Sequence, residues 1–119
     1  MTTIDFGTFA RRRREQLLKE DASYSLRQVA QRVGVQPSYL SRIERGLEAP
    51  PSEETIVKWA DELGVDRDAM LALAGKISSD LAEAIQKRPE LFADLIRQLK
   101  ELPDHAILRL VREVRDGDW

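Results

Sequence analysis

The sequence predicts an all-α chain: about five short helices forming one small domain, followed by a helical extension of about three more. Two observations carry this. Apolar residues recur at i, i+3, i+4 and i+7 along nearly the whole chain, the spacing of one helix face. The ends of each periodic run are marked, by Ser or Asp before it and by Gly or Pro after it. A length of 119 residues suits one small domain with an extension, and such a domain can bury a core without staples.

In chain order, Asp5 can cap a first helix running to about Lys19, with Phe6, Phe9, Ala10, Leu17 and Leu18 as its apolar stripe. Arg11, Arg12, Arg13 and Arg14 interrupt that stripe. At about 100° per residue they fan around most of the helix. Arg13 lies four after Phe9 and four before Leu17, on the stripe itself, so its guanidinium needs a buried partner. Glu44 is placed the same way, four after Leu40 and one after Ile43. The expectation is a buried Arg13–Glu44 pair, leaving Arg11, Arg12 and Arg14 for solvent, acids or phosphate. The segment from Lys19 to Tyr24 reads as helix end plus loop, with Tyr24 placed like a hydrophobic-staple residue before the next cap.

Residues 25–46 read as two short helices joined by a tight turn. Ser25 caps the first, and Leu26, Val29, Ala30 and Val33 form its apolar face. Gly34 ends it, since a residue with positive φ is needed there. Gln36 stands at the next cap, Pro37 takes the first helical position, where a missing N–H costs nothing, and Gly46 closes the helix. Leu40 and Ile43 face inward. The outward positions are Gln36, Ser38, Tyr39, Ser41, Arg42 and Arg45, all hydrogen-bonding and none acidic. A second helix of this kind can lie in the DNA major groove while the first spans the backbone.

Two prolines, Pro50 and Pro51, then forbid helix. Ser52 caps a fourth helix with Glu53 and Glu54 at its positive end and Ile56, Trp59, Ala60 and Leu63 inside. Trp59 fits that stripe and reads as core, not as a stacking platform. Gly64 ends this helix. Asp66 caps a fifth, with Ala69, Met70, Leu73 and Ala74 apolar, ending at Gly75. Beyond it, Ser78 or Ser79 caps a helix with Leu81, Ala84 and Ile85. A second holds Leu91, Phe92, Leu95, Ile96, Leu99 and Leu102 before Pro103. A third carries Ile107, Leu108, Val111 and Val114. The apolar face of the middle one is too wide for one shallow contact, and the excess must be covered, either by the first domain or by another chain. The boundaries expected are 1–75 and 76–119.

Composition narrows the function classes. With no Cys, there is no disulfide framework or thiolate site, and an intracellular, cytoplasmic protein is the simplest reading. The N-terminus lacks the apolar run of a signal peptide, and no apolar stretch approaches a membrane span. Net charge is −2, but residues 1–50 hold nine Lys/Arg against six Asp/Glu and residues 51–119 ten against fifteen. A basic front and an acidic remainder fit a face that reads DNA backed by a segment that repels it. His105 is the sole histidine, so no metal site is expected. Gly75-Lys76 lacks both the earlier Gly and the following Ser or Thr of a phosphate loop. No catalytic arrangement and no cofactor are expected, and the chain does not read as an enzyme.

At Ala30, Gly34-Val35, Leu40-Ser41-Arg42-Ile43-Glu44 and Gly46 the chain resembles the Cro-type (XRE) helix-turn-helix of phage repressors and bacterial regulators, from about Phe6 to Gly75. The resemblance implies a five-helix, phage-repressor-like DNA-binding domain. It also implies an Arg–Glu pairing like the one expected between Arg13 and Glu44. It implies base reading by Gln36, Ser38 and Arg42, with Arg42 able to grip guanine O6 and N7, and with Gln36 open to a phosphate role instead. Ser25, Tyr39, Ser41 and Arg45 are implied phosphate or backbone contacts. Pro37 stands where some relatives hold a polar reader. Between Arg13 and Ser25 the chain is several residues longer than the shortest members. The function implied is a sequence-specific regulator of double-stranded DNA, a repressor acting as a homodimer on a palindromic operator. The alternative is an antitoxin or partner-controlled repressor whose C-terminal helices bind a toxin or a regulatory peptidase.

Overall fold

A computed structural model describes residues 4–119, which form helices and no strand. The helices are α1 (Phe6–Leu18), α2 (Leu26–Val33), α3 (Pro37–Glu44), α4 (Glu53–Leu63), α5 (Arg67–Leu73), α6 (Ser79–Lys87), α7 (Pro89–Leu99) and α8 (Asp104–Asp116). The described residues fall into two compact units, one reaching to Ser78 and one from Ser79 to Trp119. The all-α architecture read from periodicity and caps is therefore the one observed.

In the first unit, side-chain caps open four of the five helices. Asp5, Ser25, Ser52 and Asp66 each accept the backbone N–H three residues on, satisfying donors that a helix start leaves orphaned. Gln36 caps by position alone, ahead of Pro37. The core comprises Phe6 and Ala10 from α1, Val29, Ala30 and Val33 from α2, and Leu40 and Ile43 from α3. Ile56, Trp59, Ala60 and Leu63 from α4 and Met70 and Leu71 from α5 complete it. Trp59 is fully buried, its ring edge-to-face with Phe6 at 5.4 Å between centroids. Such aromatic geometry adds about 0.5–1.5 kcal/mol beyond area burial. Trp59 is thus core.

Four expectations need correction. The buried partner of Glu44 is Arg14, not Arg13. The innermost line of α1 runs Phe6, Ala10, Arg14, whereas Phe9 and Leu17 are only half-buried. Arg13 lies beside that line and donates from Nε to the Leu63 carbonyl at 3.0 Å, at the C-terminal end of α4, where a cation is favourable. Second, the linker before Ser25 is ordered: Asp21 caps a one-turn 3-10 helix, Ala22–Tyr24, by accepting the Ser23 N–H. Third, the inward residues of α5 are Met70 and Leu71, while Ala69 is exposed. Fourth, α7 stops at Leu99, and Leu102 lies in the turn before Pro103.

In the second unit, α7 and α8 leave an apolar groove between them, lined by Leu95, Leu99, Ile107, Leu110, Val111 and Val114.

Candidate nucleic-acid interface

The α2–turn–α3 segment is held by backbone chemistry. After α2, Gly34 takes φ +88°, and the N–H groups of Gly34 and Val35 both return to the Ala30 carbonyl, at 2.9 and 3.0 Å. An L side chain at such a φ is strained, so glycine sets the sharp turn. Val35 folds back onto the core. Beneath α3, Gly7 of α1 packs so closely that an added Cβ would overlap the Ile43 carbonyl oxygen. The Arg14–Glu44 pair ties the same two helices.

Gln36, Ser38, Tyr39 and Arg42 line one shallow concavity, and Gln31 of α2 joins them. Gln36 and Ser38 are exposed, and Tyr39 and Arg42 are half-buried. The three residues implied as base readers therefore share one surface. Tyr39 packs part of its ring on the core, leaving its hydroxyl end as the polar handle. Ser25, Ser41 and Arg45 lie outside this concavity. Ser25 has its backbone N–H engaged with the Ala22 carbonyl and its oxygen accepting from Gln28, so the hydroxyl proton is the group left for a phosphate. Ser41 contributes its carbonyl, which accepts from both the backbone N–H and Nε of Arg45. Arg45 shares a second concavity with Thr8, Arg11 and Arg12. Within it Arg11 is paired to Glu15 at 2.8 Å, and that contact holds the Glu15 carboxyl below its ordinary value.

Sequence reasoning missed two residues here. Gln31 is an outward position of α2 whose closeness to α3 depends on the crossing of the two helices. Glu48, six residues after Arg42, accepts from Arg42 Nε at 3.3 Å. The signal for it was Gly46. With φ +76° at Gly46, the Gly46 N–H bonds the Ile43 carbonyl and the Leu47 N–H the Arg42 carbonyl, at 3.0 and 2.8 Å. That paired pattern turns the chain back beside the last turn of α3.

Among the described residues, no group of three or more His, Cys, Asp or Glu could hold a metal ion. Nor is any helix among them long and apolar enough to cross a membrane. What the arrangement offers is a short exposed helix face of neutral and cationic hydrogen-bonding side chains. That is the chemistry of base-edge and phosphate contacts.

A helix-turn-helix family model matches residues 15–70. The HTH-type transcriptional regulator SlrR of Bacillus subtilis (strain 168) is 35% identical over 107 residues, covering 78% of this chain and 70% of the relative. An uncharacterised HTH-type transcriptional regulator of Mycobacterium tuberculosis (strain ATCC 25618 / H37Rv) is 36% identical over 88 residues, covering 74% of this chain. The chain spans 57% of that relative. In fold, the chain matches one from a SinR protein/SinI protein complex with a TM-score of 0.50, over 92% of this chain and 94% of that one, at 21% identity. The chain belongs to the XRE-type helix-turn-helix family, and it is a DNA-binding transcriptional regulator. This family is a non-enzymatic kind of protein.

Proposed function

We propose that this regulator is a cytoplasmic repressor that binds a palindromic operator as a homodimer. Gln36, Ser38 and Arg42 read base edges, and Ser25, Tyr39, Ser41 and Arg45 hold the backbone. The observation that carries this reading is the shared, exposed surface of Gln36, Ser38 and Arg42 on α3. Arg42 supplies the guanine contact, worth about 1–3 kcal/mol of discrimination. Arg45, with Arg11 and Arg12 in one concavity, supplies phosphate charge. One such helix spans only a few base pairs, so a symmetric dimer on two half-sites one DNA turn apart completes the operator. Residues 1–75 bind DNA and residues 76–119 assemble the protein, the α7–α8 groove being the dimer surface.

A second reading is favoured by the same groove and by the fold neighbour, which comes from a complex of two different proteins. In it the C-terminal helices bind a controlling partner, such as a toxin or a regulatory peptidase, in place of a second copy.

Selection of bound duplexes from a random pool tests the proposal. A palindrome with half-site centres about one turn apart, roughly 34–36 Å, is expected. An enriched single half-site, or no enrichment, contradicts dimeric operator binding.

A further inference from the structure

Arg42 has two neighbourhoods. One side faces the concavity it shares with Gln36 and Ser38. On the other is Glu48, which lies outside that lining and borders a separate hollow with Asp5, Gly7, Ile43 and Pro50. Glu48 accepts from Nε, not from the terminal nitrogens. A guanidinium carries one N–H at Nε and four on its two terminal nitrogens. With Nε engaged, the terminal fork stays free for two parallel bonds to guanine O6 and N7.

The segment bearing Glu48 is fixed at both ends. The turn at Gly46 bonds it to the end of α3. Two and three residues beyond Glu48, Pro50 and Pro51 lock φ, Pro51 is buried, and its carbonyl accepts from Lys76 Nζ at 2.8 Å. Both side chains of the pair are 42% exposed. An ion pair this exposed contributes little to stability. Its carboxylate also stands beside a surface meant for a polyanion, where an acid opposes binding unless a cation covers it.

We propose that Glu48 is a positioning residue for base recognition: by holding Arg42 Nε it presents the terminal fork to guanine and sharpens discrimination at that base pair. The inference rests on Arg42 being a base reader.

The test uses the full chain and two duplexes that differ at one base pair, the position whose guanine preference Arg42→Ala abolishes. The ratio of the two dissociation constants is measured for the parent, Glu48→Ala, Glu48→Gln and Arg42→Ala/Glu48→Ala. In Glu48→Ala the ratio should fall about tenfold, a part of what one bidentate contact supplies. Glu48→Gln keeps a carbonyl that can accept from Nε, so it should hold the ratio within about twofold while binding both duplexes more tightly. The double variant should show no more loss of ratio than Arg42→Ala alone. Thermal melting of both Glu48 variants should match the parent. An unchanged ratio in Glu48→Ala, with both duplexes bound equally more tightly, overturns the proposal, because it would make Glu48 a mere repeller. If Arg42→Ala abolishes no base preference anywhere, the base-reading assignment itself fails, and that result is distinct from failure of Glu48 alone.

Discussion

Arg14 donates from Nε and Nη2 to the two carboxylate oxygens of Glu44, at 2.7 and 2.9 Å, and joins α1 to the helix that carries the reading face. The side chains are 9% and 3% exposed. A third bond, from Arg14 Nη1 to the Tyr24 carbonyl at 3.3 Å, ties in the 3-10 turn ahead of α2. The hydrogen bond to the Glu44 carboxylate holds the Arg14 guanidinium above its already high ordinary value, so the guanidinium stays charged. It is a two-pronged contact of the kind that fixes geometry as well as energy.

Breaking a buried pair strands one charge. Arg14→Ala should cost about 3–5 kcal/mol of unfolding free energy. Arg13→Ala should cost about 1 kcal/mol, since it removes a half-buried bond to a helix-end carbonyl. Urea titrations at constant slope measure both, and equal losses would contradict the assignment of Arg14.

Gly7→Ala ought to stabilise a helix by about 0.8–1 kcal/mol on propensity alone. Here the new methyl overlaps the Ile43 carbonyl oxygen and comes within 3.0 Å of the Glu44 carbonyl, both backbone atoms. Overpacking of this kind costs about 1–3 kcal/mol. The expected outcome is a lowered melting temperature, and a raised one would show that α1 and α3 can separate freely.

Acid should weaken the first unit through its caps. The Asp5 carboxylate accepts from Thr8 and lies below its ordinary value of 3.8, chiefly for that reason. Its folded form thus binds a proton less readily than its unfolded form. The stabilisation is complete above the ordinary value and is lost as pH falls through the depressed folded one. Asp5→Asn keeps a good cap without the titration. The stability gap between parent and Asp5→Asn, followed from about pH 5 to about pH 2.5, should shift steadily against the parent. A constant gap would contradict the cap's charge.

The α7–α8 groove offers a test of assembly. Val111→Asp, combined with Arg115→Ala so that the one cation of the same lining does not offset it, places a carboxylate among Leu95, Leu99 and Ile107, where an unpaired charge is costly. Sedimentation should report a monomer in place of a dimer, with binding to an isolated half-site unchanged. A dimer that persists would move the dimer surface elsewhere.

Much of this was legible in the residues. Caps and stops at Ser25, Gly34, Ser52, Gly64 and Asp66 are local chemistry, and they marked the helices directly. The inner set of α2, α3 and α4 followed from large aliphatic side chains at helical spacing. In α1 the same logic slipped by one residue. Ala10 is fully buried yet too small to weigh in a pattern dominated by Phe9 and Leu17, so the inward line through Arg14 was passed over for one through Arg13. At the reading face, the outward side chains of α3 were visible from spacing. Gln31 and Glu48 were not, because they reach the site through a helix crossing and a returning turn.

On the proposed function, α3 reads base sequence. The most direct test is equilibrium binding of the parent and of Ser38→Ala/Arg42→Ala to the selected operator and to a scrambled duplex at one salt concentration. The double variant should lose the preference for the operator, by roughly tenfold or more as a bidentate contact supplies, while retaining its weak binding to scrambled DNA. A double variant that still favours the operator as strongly as the parent would contradict it.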